Sequence, residues 1–231
     1  MNNVERLGLH EEVLLLALSD EKGTIIGGTW LTLSLGGAVL SELLLREIAE
    51  VETEGKKSFL KLAVKKRTGD EVLDLAIEKI RNAKRRATLE TWVSRFSGIK
   101  EMRHIIARRL CKKNILREDE KQVLFFFTQR VYPERDHAAE KEIIARLKDA
   151  IFTNGNDADA RTIVLLSLVN SGDLLKVIFD RKKLKERKSH IQNLVKGNTL
   201  GDATKSAIQS AQAAIMVATM IPIMTSAAVH H

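Results

Sequence analysis

Residues 92–133 read WVSRFSGIKEMRHIIARRLCKKNILREDEKQVLFFFTQRVYP, and this stretch is the most informative part of the chain. Its first part carries apolar residues at spacings of three and four, a pattern that predicts an amphipathic helix. These residues are Ile99, Met102, Ile105, Ile106 and Leu110. Its second part, KQVLFFFTQRVYP, predicts a short apolar β-hairpin. A basic helix joined to such a hairpin is suited to contact a polyanion, either a membrane headgroup or a nucleic-acid backbone.

Positive charge covers the rest of the predicted helix. The cations opposite the apolar face are Lys100, Arg103, Arg108 and Lys112. Arg109 and Lys113 flank the apolar face, where long side chains can extend their charge to solvent. A charge run is usually a solvated helix face. Here Glu101 is the one acid within the run, so the cations repel one another unless an anion binds, and we expect an anion site.

The hairpin carries three consecutive phenylalanines, Phe125, Phe126 and Phe127. Successive side chains of a strand point to opposite faces, so the three cannot share one face. At least one is expected to leave the local core. It then packs on another element of the domain, on a second subunit as a homo-oligomer contact, or in a membrane interface.

Composition favours a mainly helical fold. The chain has 231 residues, 44% hydrophobic and 29% charged, with aromatics at only 4%, so aliphatic side chains must build the core. We predict one domain over 1–231, a helical bundle around a buried apolar helix with short β-hairpins, one of them protruding and apolar. The net charge of +8 favours an anionic partner without identifying it.

Several local expectations follow from the pattern. Residues 24–33 predict a short strand or loop, and Gly36-Gly37 then open a second helix that continues to Val51. Residues 54–57 predict a hairpin turn. The clusters 84–86 and 181–188 are further basic patches, the second read as a connector between helices.

The apolar C-terminal run, residues 207–229, is long enough to span a bilayer, but its Gln, Ser and Thr content and Pro222 favour a buried helix. Cys111 is the single cysteine, which excludes an internal disulfide and fits a reducing compartment. With no signal-peptide pattern at the N-terminus, we expect a cytoplasmic protein.

Catalytic motifs are absent. The sequence holds no GxSxG, P-loop, GxGxxG, HExxH or paired-cysteine metal spacing, so neither an enzyme nor a metal or cofactor site is expected. His10 is read as a capping or solvent-facing residue at a helix start. Glu42 lies in an apolar run and is expected to pair structurally. Cys111 is expected to be a half-buried, inert thiol, although its cationic neighbours could lower its pKa.

The chain resembles the Golgi phosphoprotein 3 family, whose yeast members serve vacuolar sorting. The resemblance is carried, in order, by LGLHEEVLLLALSDEKG, LGGAVLSELLLREI, TGDEVLDLAIEKI, TWVSRFSG, the basic helix and NILREDEKQVLFFF. It extends over nearly the whole chain and weakens after about Asp180. It implies a one-domain helical fold with a protruding apolar hairpin. It also implies binding of phosphatidylinositol 4-phosphate at the cytoplasmic face of the Golgi, and of coatomer and the tails of glycosyltransferases that are retained there.

The resemblance assigns binding residues only in part. Its headgroup-binding basic positions fall on Lys100 and Arg103, and Arg108 adds positive field beside them. Gly36 stands where the family has an arginine, and Gly27 stands where it has a tryptophan, for which Trp30 is the substitute. The basic N-terminal arm that engages coatomer in the family is not matched. These departures indicate a divergent member, and a prokaryotic origin is one explanation of them.

The alternative is a nucleic-acid-binding module, because a basic helix followed by a hairpin imitates a winged helix–turn–helix. The predicted helix lacks the Asn, Gln or Ser side chains typical of base readers. Nucleic acid is therefore the less favoured partner.

Overall fold

The computed structural model describes residues 6–18, 23–26, 28–64, 66–123, 127–153, 158–171 and 174–196. The helices in this part are α1 (Leu9–Leu16), α2 (Gly28–Leu45), α3 (Glu71–Arg81), α4 (Leu89–Ser97), α5 (Met102–Lys112), α6 (Ala138–Phe152), α7 (Ala160–Ser171), α8 (Leu175–Ile178), α9 (Arg181–Glu186) and α10 (Lys188–Val195). The strands are β1 (Ala49–Glu54), β2 (Lys57–Leu62), β3 (Asp119–Val123) and β4 (Phe127–Val131). The prediction of a mainly helical fold with short hairpins is confirmed.

Helix α2 is apolar and largely buried, and it packs against α1, α4 and α7. Its side chains from Ser34 to Leu44 are all buried, so it lacks the polar face of a surface helix. The expectation of a strand or loop over 24–33 is wrong from Gly28 onward, because α2 begins there. Gly36 therefore lies in mid-helix, where its missing Cβ lets α4 approach closely.

Both hairpins are antiparallel. The turn between β1 and β2 falls at Gly55-Lys56, as predicted, and Glu54 pairs with Lys57. The second predicted helix was expected to continue to Val51, but α2 ends at Leu45. Glu47 adopts a left-handed backbone with φ 55, which ends the helix and lets the chain enter β1. In the second hairpin, Asp119 pairs with Val131 at the base and Val123 with Phe127 near the tip.

A layer of buried ionic side chains joins α1 to its neighbours. Its acids are almost fully excluded from solvent: Glu11, Glu12, Glu42 and Asp70. The prediction for His10 is wrong, because this side chain is 0% exposed and its Nε2 lies 3.1 Å from Asp70 Oδ2. A spacing pattern could not show this contact, because the partner lies 60 residues away.

The expected structural role of Glu42 is confirmed. Its Oε2 accepts hydrogen bonds from the Leu9 backbone N–H at 2.7 Å and from Arg161 Nη2 at 2.7 Å. Its Oε1 accepts one from Arg46 Nε at 2.5 Å. Burial alone would raise the pKa of Glu42, but these donors together lower it. The carboxylate therefore links α1, α2 and α7.

The structure tests the prediction for the basic cluster at 181–188 but not the prediction for the apolar run at 207–229. Residues 181–186 form α9, so most of the predicted connector is helical. The apolar run at 207–229 lies outside the described residues, and a single domain over 1–231 therefore stays a prediction. Within the described ranges, no helix combines the length and apolarity needed to cross a bilayer.

Candidate functional site

An open pocket of about 640 Å³ lies at the start of α5, between that helix, α2, α4 and strand β4. Its polar lining comprises Thr32, Ser97, Glu101, Arg103, His104, Thr128, Gln129 and Arg130. Two guanidinium groups thus share one cavity with hydroxyl and amide groups, and Glu101 is the one acid among the described lining residues. Such a lining suits a phosphorylated, hydroxyl-bearing anion.

The turn that precedes α5 shapes this end of the pocket. Helix α4 ends at Ser97, Ile99 is buried, and Glu101 adopts a left-handed backbone with φ 57. This conformation is uncommon for a residue other than glycine, and it directs the chain into α5 at Met102. The positive end of the α5 dipole consequently faces the pocket, where it favours a bound anion.

Arg103 is held in place from α2. Its Nη2 donates a 3.0 Å hydrogen bond to Thr32 Oγ1, and the Thr32 hydroxyl donates in turn to the Gly28 carbonyl at 3.4 Å. Arg103 is partly buried, and the described residues include no carboxylate paired with it. A guanidinium fixed by a neutral partner keeps its charge available for an anion.

The hairpin is fixed to α5 by a buried tyrosine. His104 Nδ1 lies 2.7 Å from the Tyr132 hydroxyl, which also donates a 3.5 Å hydrogen bond to Glu118 Oε1. Burial raises the pKa of Tyr132 to about 12, and the Glu118 carboxylate adds to this rise. The tyrosine therefore stays neutral and keeps its hydroxyl proton as a link between helix and hairpin.

The structure brings only some of the sequence-predicted residues to the pocket. Arg103 lines it. Lys100 is exposed in the turn between Ile99 and Glu101, which both line the pocket. Arg108 is partly buried further along α5. Burial raises the pKa of Tyr132, and the charge of Arg108 opposes that rise. The roles of Lys100 and Arg108 in anion binding stay predictions.

Trp30 lies on α2, two residues before Thr32. It packs partly buried against the core, and its indole Nε1 is buried without a hydrogen-bond partner in the described structure. Trp30 is not one of the pocket-lining residues. Gly27 lies outside the described residues, so the substitution of one position for the other stays a prediction.

Arg109 and Lys113 do not extend their charges to solvent as expected. Arg109 Nε lies 3.2 Å from Glu11 Oε1 and 3.1 Å from Asp70 Oδ2, while Lys113 Nζ lies 2.9 Å from Glu11 Oε2. His10, Glu11 and Asp70 are close enough together to suggest a metal site. The guanidinium and ammonium groups already compensate these carboxylates, so this cluster is a structural ion network.

The structure tests the prediction for Cys111 but not the prediction for the hairpin phenylalanines. Burial raises the pKa of the Cys111 thiol and Glu118 raises it further, so the expectation of an inert thiol holds and that of a lowered pKa is wrong. Phe125 and Phe126 lie outside the described residues. Phe127 is the first residue of β4. Their contact with a membrane or a second subunit stays a prediction.

Sequence reasoning missed Thr32 and Arg130. Thr32 has no distinguishing local signal, because its role depends on α2 lying beside α5. Arg130 lies one residue before the end of β4, and its place in the pocket lining depends on how the hairpin packs beside α5.

Comparison with known proteins identifies a family and a relative that this chain resembles. A family model described as Golgi phosphoprotein 3 (GPP34) matches residues 9–211, a range that includes every lining residue of the pocket. The chain is also similar to vacuolar protein sorting-associated protein 74 of Schizosaccharomyces pombe (strain 972 / ATCC 24843), with 31% identity over 142 residues. This alignment covers 52% of the chain and 41% of the relative, less than half of the relative's length.

Proposed function

This chain belongs to the Golgi phosphoprotein 3 family, and on that premise we propose that it is a peripheral membrane adaptor. It binds an anionic phosphoinositide headgroup in the pocket at the start of α5. The observation that carries the proposal is Arg103, a partly buried guanidinium held at the pocket by the neutral Thr32 hydroxyl. The family resemblance names phosphatidylinositol 4-phosphate as the headgroup.

Membrane attachment combines two signals. The pocket supplies charge-assisted hydrogen bonds to a phosphate, and Lys100 adds an exposed cation beside it. The apolar residues of the β3–β4 hairpin supply the second signal, as Phe125–Phe127 enter the interface or contact another copy of the chain. Each signal alone gives marginal binding, whereas the two together give reversible but stable attachment.

The adaptor role is supported by the family and by the name of the relative, which refers to vacuolar protein sorting. By resemblance, this chain binds the cytoplasmic tails of membrane proteins such as glycosyltransferases and thereby retains or sorts them. In a eukaryotic cell it acts at the cytoplasmic face of the Golgi. No chemical step is assigned to the protein.

Vesicle flotation with headgroup-matched membranes tests this proposal. The purified chain is mixed with phosphatidylcholine vesicles that contain phosphatidylinositol 4-phosphate, phosphatidylinositol or phosphatidylserine at equal surface charge. We expect the strongest flotation with the 4-phosphate. A parallel titration with duplex DNA tests the winged-helix alternative. Salt-dependent DNA binding without flotation on any anionic vesicle would contradict the adaptor proposal.

A further inference from the structure

A groove with a basic half and an apolar half lies between strand β2, the end of α3 and helix α4. Its halves are two adjoining cavities that share Ala83 and Arg85 in their linings. We propose that this groove docks an acidic peptide segment of a partner protein, with one apolar side chain of that segment in the apolar half. The inference goes beyond the headgroup proposal, because the described lining of the groove has no residue in common with that of the pocket at the start of α5.

The basic half holds four cations and no acid among its described lining residues. It measures about 490 Å³, and Lys79, Lys84, Arg85 and Arg95 line it together with Ala83. None of the four cations forms an ion pair within the described part of the chain. Four positive charges around one cavity repel one another, and a bound anion removes that repulsion. The basic half therefore favours an anionic ligand.

The cations are carried on backbone that is already fixed. The Leu60 backbone N–H on β2 donates a 3.3 Å hydrogen bond to the Ala87 carbonyl, which holds the basic segment 84–86 beside the hairpin. Arg95 lies on α4, where its guanidinium carbon is 4.7 Å from the centre of the Trp92 ring. Binding to a groove that is formed in advance costs little ordering of the protein.

The apolar half differs in that its charges are paired internally. It measures about 310 Å³, and its apolar lining comprises Phe59, Leu60, Leu62, Ile80, Ala83 and Trp92. Glu52, the acid among its described lining residues, lies 2.7 Å from Lys61 Nζ. Arg86 is paired with Glu54, and its guanidinium lies over the Phe59 ring at 4.3 Å. This half consequently offers apolar surface rather than free charge.

Trp92 gives an independent indication of a ligand. Its side chain is 1% exposed and lines the apolar half. Its indole Nε1 is buried and has no hydrogen-bond partner among the described residues. A buried donor that lacks an acceptor costs about 1–3 kcal/mol. The backbone carbonyls of a peptide in the groove are acceptors of the kind that this donor needs.

The combination of the two halves favours a peptide over other polyanions. An anionic bilayer is bound by exposed cations and requires no adjoining apolar cavity. Single-stranded nucleic acid stacks its bases on open aromatic faces, but Arg86 covers the Phe59 ring and Trp92 is almost completely buried. An acidic peptide supplies carboxylates to the basic half and an apolar side chain to the other half.

Selection from a random dodecapeptide display library on the full chain tests this inference. We expect the enriched peptides to carry two or more Asp or Glu residues beside a large apolar residue. Fluorescence polarisation then measures the affinity of the most enriched peptide. Lys84→Glu/Arg85→Glu should weaken binding at least about tenfold, because like charges then meet in the groove. Replacement of the apolar residue of the peptide by Ser should weaken it at least about fivefold.

A charge-matched control separates the groove from the net charge of the protein. Lys148→Glu/Lys185→Glu makes the same change in charge at exposed positions of α6 and α9 and should bind the peptide within about threefold of the wild type. Thermal unfolding establishes that both variants fold, and Lys84→Gln/Arg85→Gln replaces the groove variant if it does not. Arg103→Gln should bind the peptide as the wild type does, so a failure of the headgroup proposal leaves this inference standing.

Three results would overturn the inference. The first is a selection that enriches no peptides, or peptides without acidic residues. The second is equal affinity of the groove variant and the charge-matched control, because binding then depends only on net charge. The third is a peptide whose apolar residue is dispensable, together with equally tight binding of single-stranded DNA or phosphatidylserine vesicles that the groove variant loses. That result would identify a general anion surface instead of a peptide groove.

Discussion

His10 Nε2 lies 3.1 Å from Asp70 Oδ2, and both side chains are almost completely excluded from solvent. Asp70 also caps α3, because its Oδ1 accepts hydrogen bonds from the backbone N–H groups of Val72 and Leu73. Arg109 Nε lies 3.1 Å from Asp70 Oδ2, the same oxygen that His10 approaches. One aspartate thus connects α1, α3 and α5, and it fixes the helix that carries Arg103.

Replacement of Asp70 should therefore destabilise the fold even where the helix cap is kept. Asp70→Asn retains an oxygen for the cap but removes the charge that compensates Arg109. We expect the free energy of unfolding to fall by about 3 kcal/mol, as for a buried ion pair that loses one partner. Urea denaturation measures this change. Asp119→Asn, which removes an exposed partner of Arg117, should cost less than about 1 kcal/mol. Equal effects for the two variants would contradict the assigned role of the buried network.

The same carboxylates should make stability sensitive to acid. Burial alone would raise the pKa of Asp70, but the hydrogen bond and charge of His10, together with Arg109, hold it well below its ordinary 3.8. The pKa of Glu42 is likewise below its ordinary 4.5. A depressed folded-state pKa adds stability that is present above the unfolded-state value and is lost as pH falls through the folded-state value. Unfolding should therefore become easier below about pH 4.

The pH dependence can be assigned by comparison of variants. Burial raises the pKa of Glu12, so this carboxylate gains its proton at a higher pH in the folded protein than in the unfolded chain. Its protonation therefore offsets part of the stability that is lost in acid. Urea denaturation of wild type and Asp70→Asn from neutral to acid pH measures the balance. The variant should lose less stability over the acid range than the wild type. Parallel curves for the two proteins would show that Asp70 does not carry the acid sensitivity.

Close packing of α2 on α4 depends on Gly36. A Cβ at this position would lie 2.3 Å from Ser97 Oγ and 2.6 Å from the Val93 carbonyl oxygen, and the carbonyl cannot rotate away. Alanine is favoured over glycine in a helix by about 1 kcal/mol, but overpacking costs about 1–3 kcal/mol. We expect Gly36→Ala to lower the free energy of unfolding by up to about 2 kcal/mol, and larger side chains to cost more.

A control for Gly36→Ala is available on the same helix. Ser41 is fully buried, and its hydroxyl has no hydrogen-bond partner among the described residues. Ser41→Ala removes this unpaired group without adding volume, so it should leave thermal stability unchanged or increase it. If Gly36→Ala proves as stable as Ser41→Ala, the helices are not in the close contact described here.

The sequence predicted the elements that have a clear period and missed those that depend on distant partners. Helix α5 and the β3–β4 hairpin were predictable because apolar residues recur at helical spacing before Lys112 and turn to strand-like residues after it. The start of α2 was missed because Gly36-Gly37 resembles a helix boundary, whereas tertiary contact with α4 makes glycine the residue that fits mid-helix. His10 was misread because its partner, Asp70, is brought to it only by the fold.

Only part of the candidate site was predictable from the sequence. Arg103 follows from the basic helix and the family resemblance, but the pocket needs Thr32 from α2 and Arg130 from β4. No local pattern places these residues beside one another. Arg109 belongs to the same charge run as Arg103, but Glu11 and Asp70 compensate its charge inside the protein. The charge pattern does not distinguish the two arginines.

The affinity of Arg103→Gln for vesicles that contain phosphatidylinositol 4-phosphate is the sharpest test of the pocket at the start of α5 as a headgroup site. Lys148→Gln is the matched control, because it removes one exposed cation from α6, away from the pocket lining. Thermal unfolding of both variants first establishes that they fold. The account predicts that Arg103→Gln binds about tenfold or more weakly than the wild type, since charge-assisted hydrogen bonds to phosphate are lost, while Lys148→Gln binds within about twofold of it. Equal affinity of Arg103→Gln and the wild type would contradict the assignment of this pocket as the headgroup site.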